Sequence, residues 1–263
     1  MKKILLVSVL LLLVLGISGC SIQEKGTDTI ESNLKEINKG INQFSDLRNG
    51  TLEVEASMES VNNAVESMEA TKNTSTLTFI LKPKGYDYIE ETKTLYERTG
   101  QSEFSATKQV NGKFYFGVPV EQSTKDKRKS YEWHDFSERN KKQYEPNAAL
   151  QMMMSPAKWL NNKEYIKAIT KEKDGLLTKY TVTTNDEFAK YARENYHSSQ
   201  ESYTVIEHHE IYWINKDGLL VKHQMYGEVE WTIDGITDTY ISYTTVELTG
   251  SNDKDLKEIG DNT

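Results

Sequence analysis

Residues 203–214 (YTVIEHHEIYWI), 219–231 (LLVKHQMYGEVEW) and 236–248 (ITDTYISYTTVEL) decide the fold. Each is rich in β-branched and aromatic residues, as strands are. Between them lie Asn215-Lys216-Asp217-Gly218 and a second turn around Asp234-Gly235. Turns this short join antiparallel neighbours. In the middle segment Leu219, Val221, His223, Met225, Gly227, Val229 and Trp231 share one face, with Lys222, Gln224, Glu228 and Glu230 on the other. The segments run to about a dozen residues, roughly twice the usual strand length. A glycine at 227, in mid-strand, marks a bend in the sheet.

Working outward, the same period of two recurs. Leu52, Val54, Ala56 and Met58 alternate with Thr51, Glu53, Glu55, Ser57 and Glu59. Further strands are predicted over Thr74–Lys82, Tyr86–Arg98, Glu103–Val110 and Lys113–Val118, the last two flanking the hairpin signal Asn111-Gly112. Tyr165–Lys171 and Leu176–Thr184 form another pair across Lys173-Asp174-Gly175. Ile30, Leu34, Ile37, Ile41, Phe44 and Leu47 follow a helical period, with Asp28 as the predicted cap and Asn49-Gly50 as the stop. Pro146 to Leu160 reads as helix anchored by Leu150, Met153, Trp159 and Leu160 and interrupted at Pro156; Asp186–Tyr196 reads as a short helix. Residues 121–145 are polar and charged. The predicted fold is α+β: a long curved antiparallel meander, or half-barrel, whose concave face is covered by an N-terminal amphipathic helix and short helices.

The N-terminus carries a different signal. Lys2 and Lys3 precede an apolar run from Ile4 to Leu15, and Leu15-Gly16-Ile17-Ser18-Gly19-Cys20 ends on the chain's only cysteine. A cationic start, a short apolar stretch and small residues describe a secretion signal, and a membrane span needs roughly twenty apolar residues. Ile17-Ser18-Gly19-Cys20 resembles the lipobox of bacterial lipoproteins. That resemblance implies removal of residues 1–19 and a diacylglyceryl group on the sulfur of Cys20. Two acyl chains hold a protein stably, each buried methylene adding about 0.8 kcal/mol. The expected organisation is a signal peptide at 1–19, a lipidated tether at 20–27, a single domain at 28–250 and a polar tail at 251–263.

Without Lys2 and Lys3 the mature chain carries 30 basic and 40 acidic residues, a net charge of −10. An acidic surface excludes nucleic acid as a partner and broad adsorption to anionic lipid. The membrane is then reached through the lipid on Cys20, on the extracytoplasmic face of the cell membrane. Abundant Lys, Asn and Glu associate the chain with a Gram-positive source. With the single thiol acylated, neither a disulfide nor a cysteine nucleophile is available. No Gly-x-Ser-x-Gly elbow, Walker loop, dinucleotide fingerprint or His-Glu-x-x-His pattern occurs, so no enzyme activity and no cofactor are expected.

The order of elements brings a second resemblance. A lipobox, an amphipathic first helix, a long antiparallel meander and an interposed short-helix segment look like the LolA/LolB and LppX/LprG lipoprotein-carrier superfamily. Ile214-Asn215-Lys216-Asp217-Gly218-Leu219-Leu220 is similar to a hairpin that recurs there. The resemblance implies an apolar cavity between sheet and helices that holds a lipid or acyl chain.

Candidate site residues follow from that geometry. Phe114, Phe116, Trp159, Trp213, His223, Met225 and Trp231 are the expected cavity lining, although core packing is the default use of such side chains. Met152, Met153 and Met154 form either a flexible lip or plain helix packing. His223 sits inside an apolar row, as a hydrogen-bonded core histidine or as a functional group. His208 and His209 face opposite sides of one strand; each shares a face with one carboxylate, Glu210 or Glu207, which is too few ligands for zinc, and no metal is expected. Lys125 to Lys129 is either a solvated loop or a contact to anionic head groups. The expected function is a non-enzymatic, membrane-anchored lipoprotein that binds a lipid or another apolar ligand. The alternative is a surface interaction or immunity-type lipoprotein that binds a peptide or protein partner.

Overall fold

A computed structural model describes residues 29–62, 67–83, 85–120, 131–137, 147–155, 157–196, 202–233 and 235–252. Cys20, the predicted signal peptide and tether, Lys125–Lys129 and the tail beyond Asn252 lie outside them.

Eleven strands form one antiparallel sheet: β1 (Asn49–Asn62), β2 (Ser67–Lys82), β3 (Gly85–Tyr96), β4 (Gln101–Val110), β5 (Lys113–Pro119), β6 (Tyr131–Asp135), β7 (Ile166–Asp174), β8 (Leu177–Thr184), β9 (Ser202–Ile214), β10 (Leu220–Ile233) and β11 (Ile236–Ser251). Their order across the sheet is β6-β5-β4-β3-β2-β1-β11-β10-β9-β8-β7. Two meanders thus meet where β1 pairs with β11, and β6 and β7 end the sheet without pairing to each other. The sheet is open rather than closed into a barrel.

The hairpins fall where their turn residues place them. Asn111 and Gly112 both have positive φ between β4 and β5, as a primed turn demands. Three strands differ from expectation. β2 starts at Ser67, seven residues earlier, and β11 runs on to Ser251. β6 lies inside the stretch read only as polar and charged, with Tyr131 and Trp133 alternating with Glu132 and His134. The β7–β8 turn is Gly175-Leu176 rather than Lys173-Asp174-Gly175.

Three helices lie on one face of the sheet. α1 (Ile30–Ser45) buries Leu34, Ile37, Ile41 and Phe44 against β7, β9 and β10. Each such side chain contributes about 1.5–3 kcal/mol on burial. Its cap is Thr29, not Asp28: the Thr29 Oγ1 accepts from the Ser32 N–H at 3.2 Å. The helix stops at Ser45, so Asn49-Gly50 opens β1 rather than ending α1. Gly40 sets the approach to the sheet, since a Cβ there would lie 2.9 Å from Ile214 Cδ1. α2 (Ala148–Met154) packs on α1, β10 and β11, and its cap Asn147 is held by Glu90 Oε2 at 2.8 Å. A single 3-10 turn, Lys158–Asn161, follows it and buries Trp159 and Leu160. α3 (Asp186–Tyr196), at the limits the sequence predicts, rests on β9 through Phe188 and Ala192. None of the helices among the described residues is long and apolar enough to cross a membrane.

Candidate functional site

The helix-bearing face of β9, β10 and β11 is best followed along β10. Two bulges set its phase. Leu220 pairs with Ile214 while Lys222 pairs with Trp213, so Val221 is an extra residue. Leu220, rather than Leu219 and Val221, therefore joins His223 on the buried face, and it is fully buried. Farther along, Glu228 pairs with Glu207 and Val229 with Val205, leaving Ile206 as the extra residue on β9. That bulge lets Val205 and His208, three apart, face the same side. The irregularity predicted at Gly227 falls one residue beyond it.

From one end of this face to the other, the side chains change character. Under α1, Leu220, Ile214, Ile37, Ile41 and Phe44 pack without room to spare. Next comes a buried polar group. His223 lies across from Tyr212, with which it stacks at 4.3 Å between ring centres. Its Nε2 is 2.9 Å from Glu210 Oε2, and its Nδ1 is 2.9 Å from the carbonyl oxygen of Met152 on α2. Both ring nitrogens face acceptors, so with Glu210 ionised the ring carries both protons and donates twice. The Tyr212 hydroxyl also donates to Glu210 Oε2.

The charges in this cluster set one another. Burial is the largest influence on Glu210 and favours the neutral acid, yet His223, His208 and Tyr212 together hold its pKa below the ordinary value. Burial, and then the Glu210 charge, push the Tyr212 hydroxyl well up. Burial lowers the pKa of His208, against a smaller opposing pull from Glu210. A buried pair of this kind adds little net stability but specifies geometry, and removing one partner leaves a charge stranded.

Beyond Glu210 the face is hollow. Gly227 and Ser242, neighbours across β10 and β11, contribute almost no side-chain bulk. Around them a cleft of about 290 Å³ is lined by Met58, Phe188, Ala192, Tyr203, Val205, Glu207, His208, Val229, Trp231 and Tyr240. Trp231 and Tyr240 pack against each other at 3.9 Å between ring centres. Met58 is 51% exposed, so solvent reaches the cleft beside it. His208 stacks on Phe188 at 4.5 Å and meets the edge of Trp159 at 5.3 Å. Its Nδ1 is buried with no hydrogen-bond partner.

Of the seven residues expected to line a cavity, Trp231 alone lines this cleft. Trp159 supports it from beneath, through its contacts to Phe188 and His208. His223 belongs to the polar cluster, and Met225 sits between Glu210 and Thr244, short of the cleft. Phe114 packs at the margin of the main core, and Phe116 meets Phe136 at 6.2 Å. Trp213 lies on the opposite face, between Lys179 and Lys222, and its Nε1 donates to Asp174 at 2.8 Å. The methionines form no lip, since Met153 is fully buried and Met152 and Met154 pack against the core. Met58, Gly227 and Ser242 alternate correctly in the sequence, but nothing local shows that β1, β10 and β11 stand side by side. Among the described residues no three His, Cys, Asp or Glu side chains converge as a metal site.

No protein-family model matches the chain, and no curated protein matches its sequence. Solved structures similar to it include LprF from Mycobacterium bovis, with a TM-score of 0.41 and 11% identity over 84% of this chain and 93% of that one. A putative outer membrane lipoprotein-sorting protein domain from Vibrio parahaemolyticus overlaps at a TM-score of 0.25 and 10% identity, covering 84% and 94%. Both kinds of protein accord with the resemblance drawn from the order of elements. Overlap this loose carries no information about the site or its ligand.

Proposed function

We propose that this chain is a non-enzymatic lipoprotein, anchored through Cys20 on the outer side of the cell membrane, that takes an apolar ligand such as a lipid or acyl chain between α3 and β9–β11. The observation that carries this reading is the hollow at Gly227 and Ser242, walled by Trp231, Tyr240, Val205, Val229 and Phe188. Its volume of about 290 Å³ lies at the lower end of what ligand pockets span. The cleft therefore suits one alkyl chain rather than a lipid of several chains. Against a catalytic reading, both ring nitrogens of His223 are engaged inside the protein.

Native mass spectrometry of the purified protein, followed by organic extraction, tests the binding reading. An apolar molecule is expected to co-purify and to be released by solvent. A bare protein that also fails to take up added alkyl probes would overturn it. For the anchor, Cys20→Ser is expected to lose the acyl mass and move the protein to the soluble fraction. Unchanged mass and membrane partition would contradict that part.

The peptide- or protein-binding reading draws on a different feature. A polar hollow of about 380 Å³, lined by Glu53, Thr76, Glu91, Lys93, Phe104 and Tyr131 among others, opens on the face away from the helices. Burial and the nearby Glu91 charge push the Tyr131 hydroxyl up to about 12. Cross-linking on intact cells would favour this second reading if it traps one dominant protein neighbour at this face.

A further inference from the structure

The cleft is apolar except at one place, and that place is informative. His208 lines it with its side chain only 12% exposed, and its Nδ1 is buried without a hydrogen-bond partner. Buried polar atoms are nearly always paired in folded proteins, so an orphaned one in the wall of a cavity points to a partner from outside the chain. The other ring nitrogen shows which kind. Nε2 lies 4.0 Å from Glu210 Oε1. Burial favours the neutral imidazole, and a neutral ring keeps its single proton on the nitrogen nearer the carboxylate. Nδ1 is then a bare acceptor and calls for a donor.

The surroundings decide the charge of that donor. Glu207 also lines the cleft, and Glu210 lies just behind His208. Two carboxylates this close repel an anionic head such as a fatty acid carboxylate or a phosphate. Phe188 and Trp159 hold the imidazole plane from two sides, so the ring does not swing out to meet a distant group.

On the reading that the cleft binds an apolar chain, we infer that its occupant is an uncharged amphiphile, an alcohol or acylglycerol, whose hydroxyl donates to His208 Nδ1. His208 is then the residue that selects the ligand head, while Trp231, Tyr240 and Val229 take the chain.

Three probes of equal chain length separate the possibilities: decanol, decyl methyl ether and decanoate, titrated at pH 8 with tryptophan fluorescence as the readout. Decanol is expected to bind about tenfold more tightly than the ether, which lacks the donor. Decanoate is expected to bind more weakly than decanol. In His208→Phe the alkyl site remains, and the preference for decanol over the ether should vanish. Equal binding of alcohol and ether by the unaltered protein would overturn the inference while leaving the apolar cleft standing. Tighter binding of decanoate than of decanol would also overturn it. If no probe binds, the cleft reading itself fails and takes the inference with it. The comparison of probes needs no variant, so it holds even where His208→Phe folds poorly.

Discussion

The two ends of one sheet face are built from the same strands and do opposite things. Under α1, β9 and β10 present Ile214, Leu220 and Tyr212 to a helix that fills every gap. Under α3 the same two strands present Val205, Val229 and Trp231 around Gly227, and a cleft remains. Between them stands the Glu210–His223–Tyr212 cluster, satisfied on every side. One end spends its apolar surface on stability, and the other keeps some of it uncovered. Residues of similar chemistry are therefore expected to differ sharply in what their loss does.

The largest effects belong to the filled end and its polar border. Phe44→Ala removes a fully buried ring and should cost about 3–5 kcal/mol in urea denaturation. Glu210→Ala strands His223 and should cost a similar amount, about 3–5 kcal/mol. A loss under 1 kcal/mol in either variant would mean that this end is not the stabilising one. At the open end, Trp231→Ala should cost only about 1 kcal/mol, because the ring already faces a cleft, while alkyl probe binding is lost. A cost as large as that of Phe44→Ala would erase the contrast.

Protonation sharpens the same division. The folded pKa of Glu210 lies below its ordinary value, so its contribution is complete above about pH 4.3 and is lost as pH falls through the folded value. His208 is also depressed, and here the folded state prefers the neutral base. Stability therefore starts to fall as pH drops below about 6.5, where the unfolded chain binds the proton first. His208→Phe should flatten the slope just below that pH, and Glu210→Gln the slope below the carboxylate range. Denaturation midpoints measured across pH 3–8 check both, and an unchanged slope in either variant would contradict its assignment. The smallest effect is expected for Met58→Ala, within about 0.5 kcal/mol, since that side chain is half in solvent.

Much of the fold was legible because its signals are local. The 3.6-residue stripe of Ile30, Leu34, Ile37, Ile41 and Phe44 is a helix with one buried side, and Asn111-Gly112 is a hairpin. Other features depend on partners distant in the chain. Ile211, Tyr212, Trp213 and Ile214 are all buried, and a run of four apolar residues has no phase from which to tell the two faces apart. That is why Trp213 was assigned to the wrong side. A bulge at Val221 moves the buried row by one residue, and no single strand announces it. β6 hides in a charged stretch because its aromatic residues pack on β5 rather than on a helix. The cleft depends on β1 meeting β11, a pairing between segments from opposite ends of the chain. Met58 enters the site only through that contact.

The central claim is that the hollow around Gly227 is a binding site rather than a packing fault, and filling it tests this directly. A Cβ at Gly227 would meet only Ser242 Oγ, at 3.2 Å, and the backbone there suits any residue. Gly227→Leu should therefore keep the thermal midpoint of the unaltered protein or raise it, while abolishing decanol uptake measured by tryptophan fluorescence. Undiminished uptake by a folded Gly227→Leu protein would contradict the account.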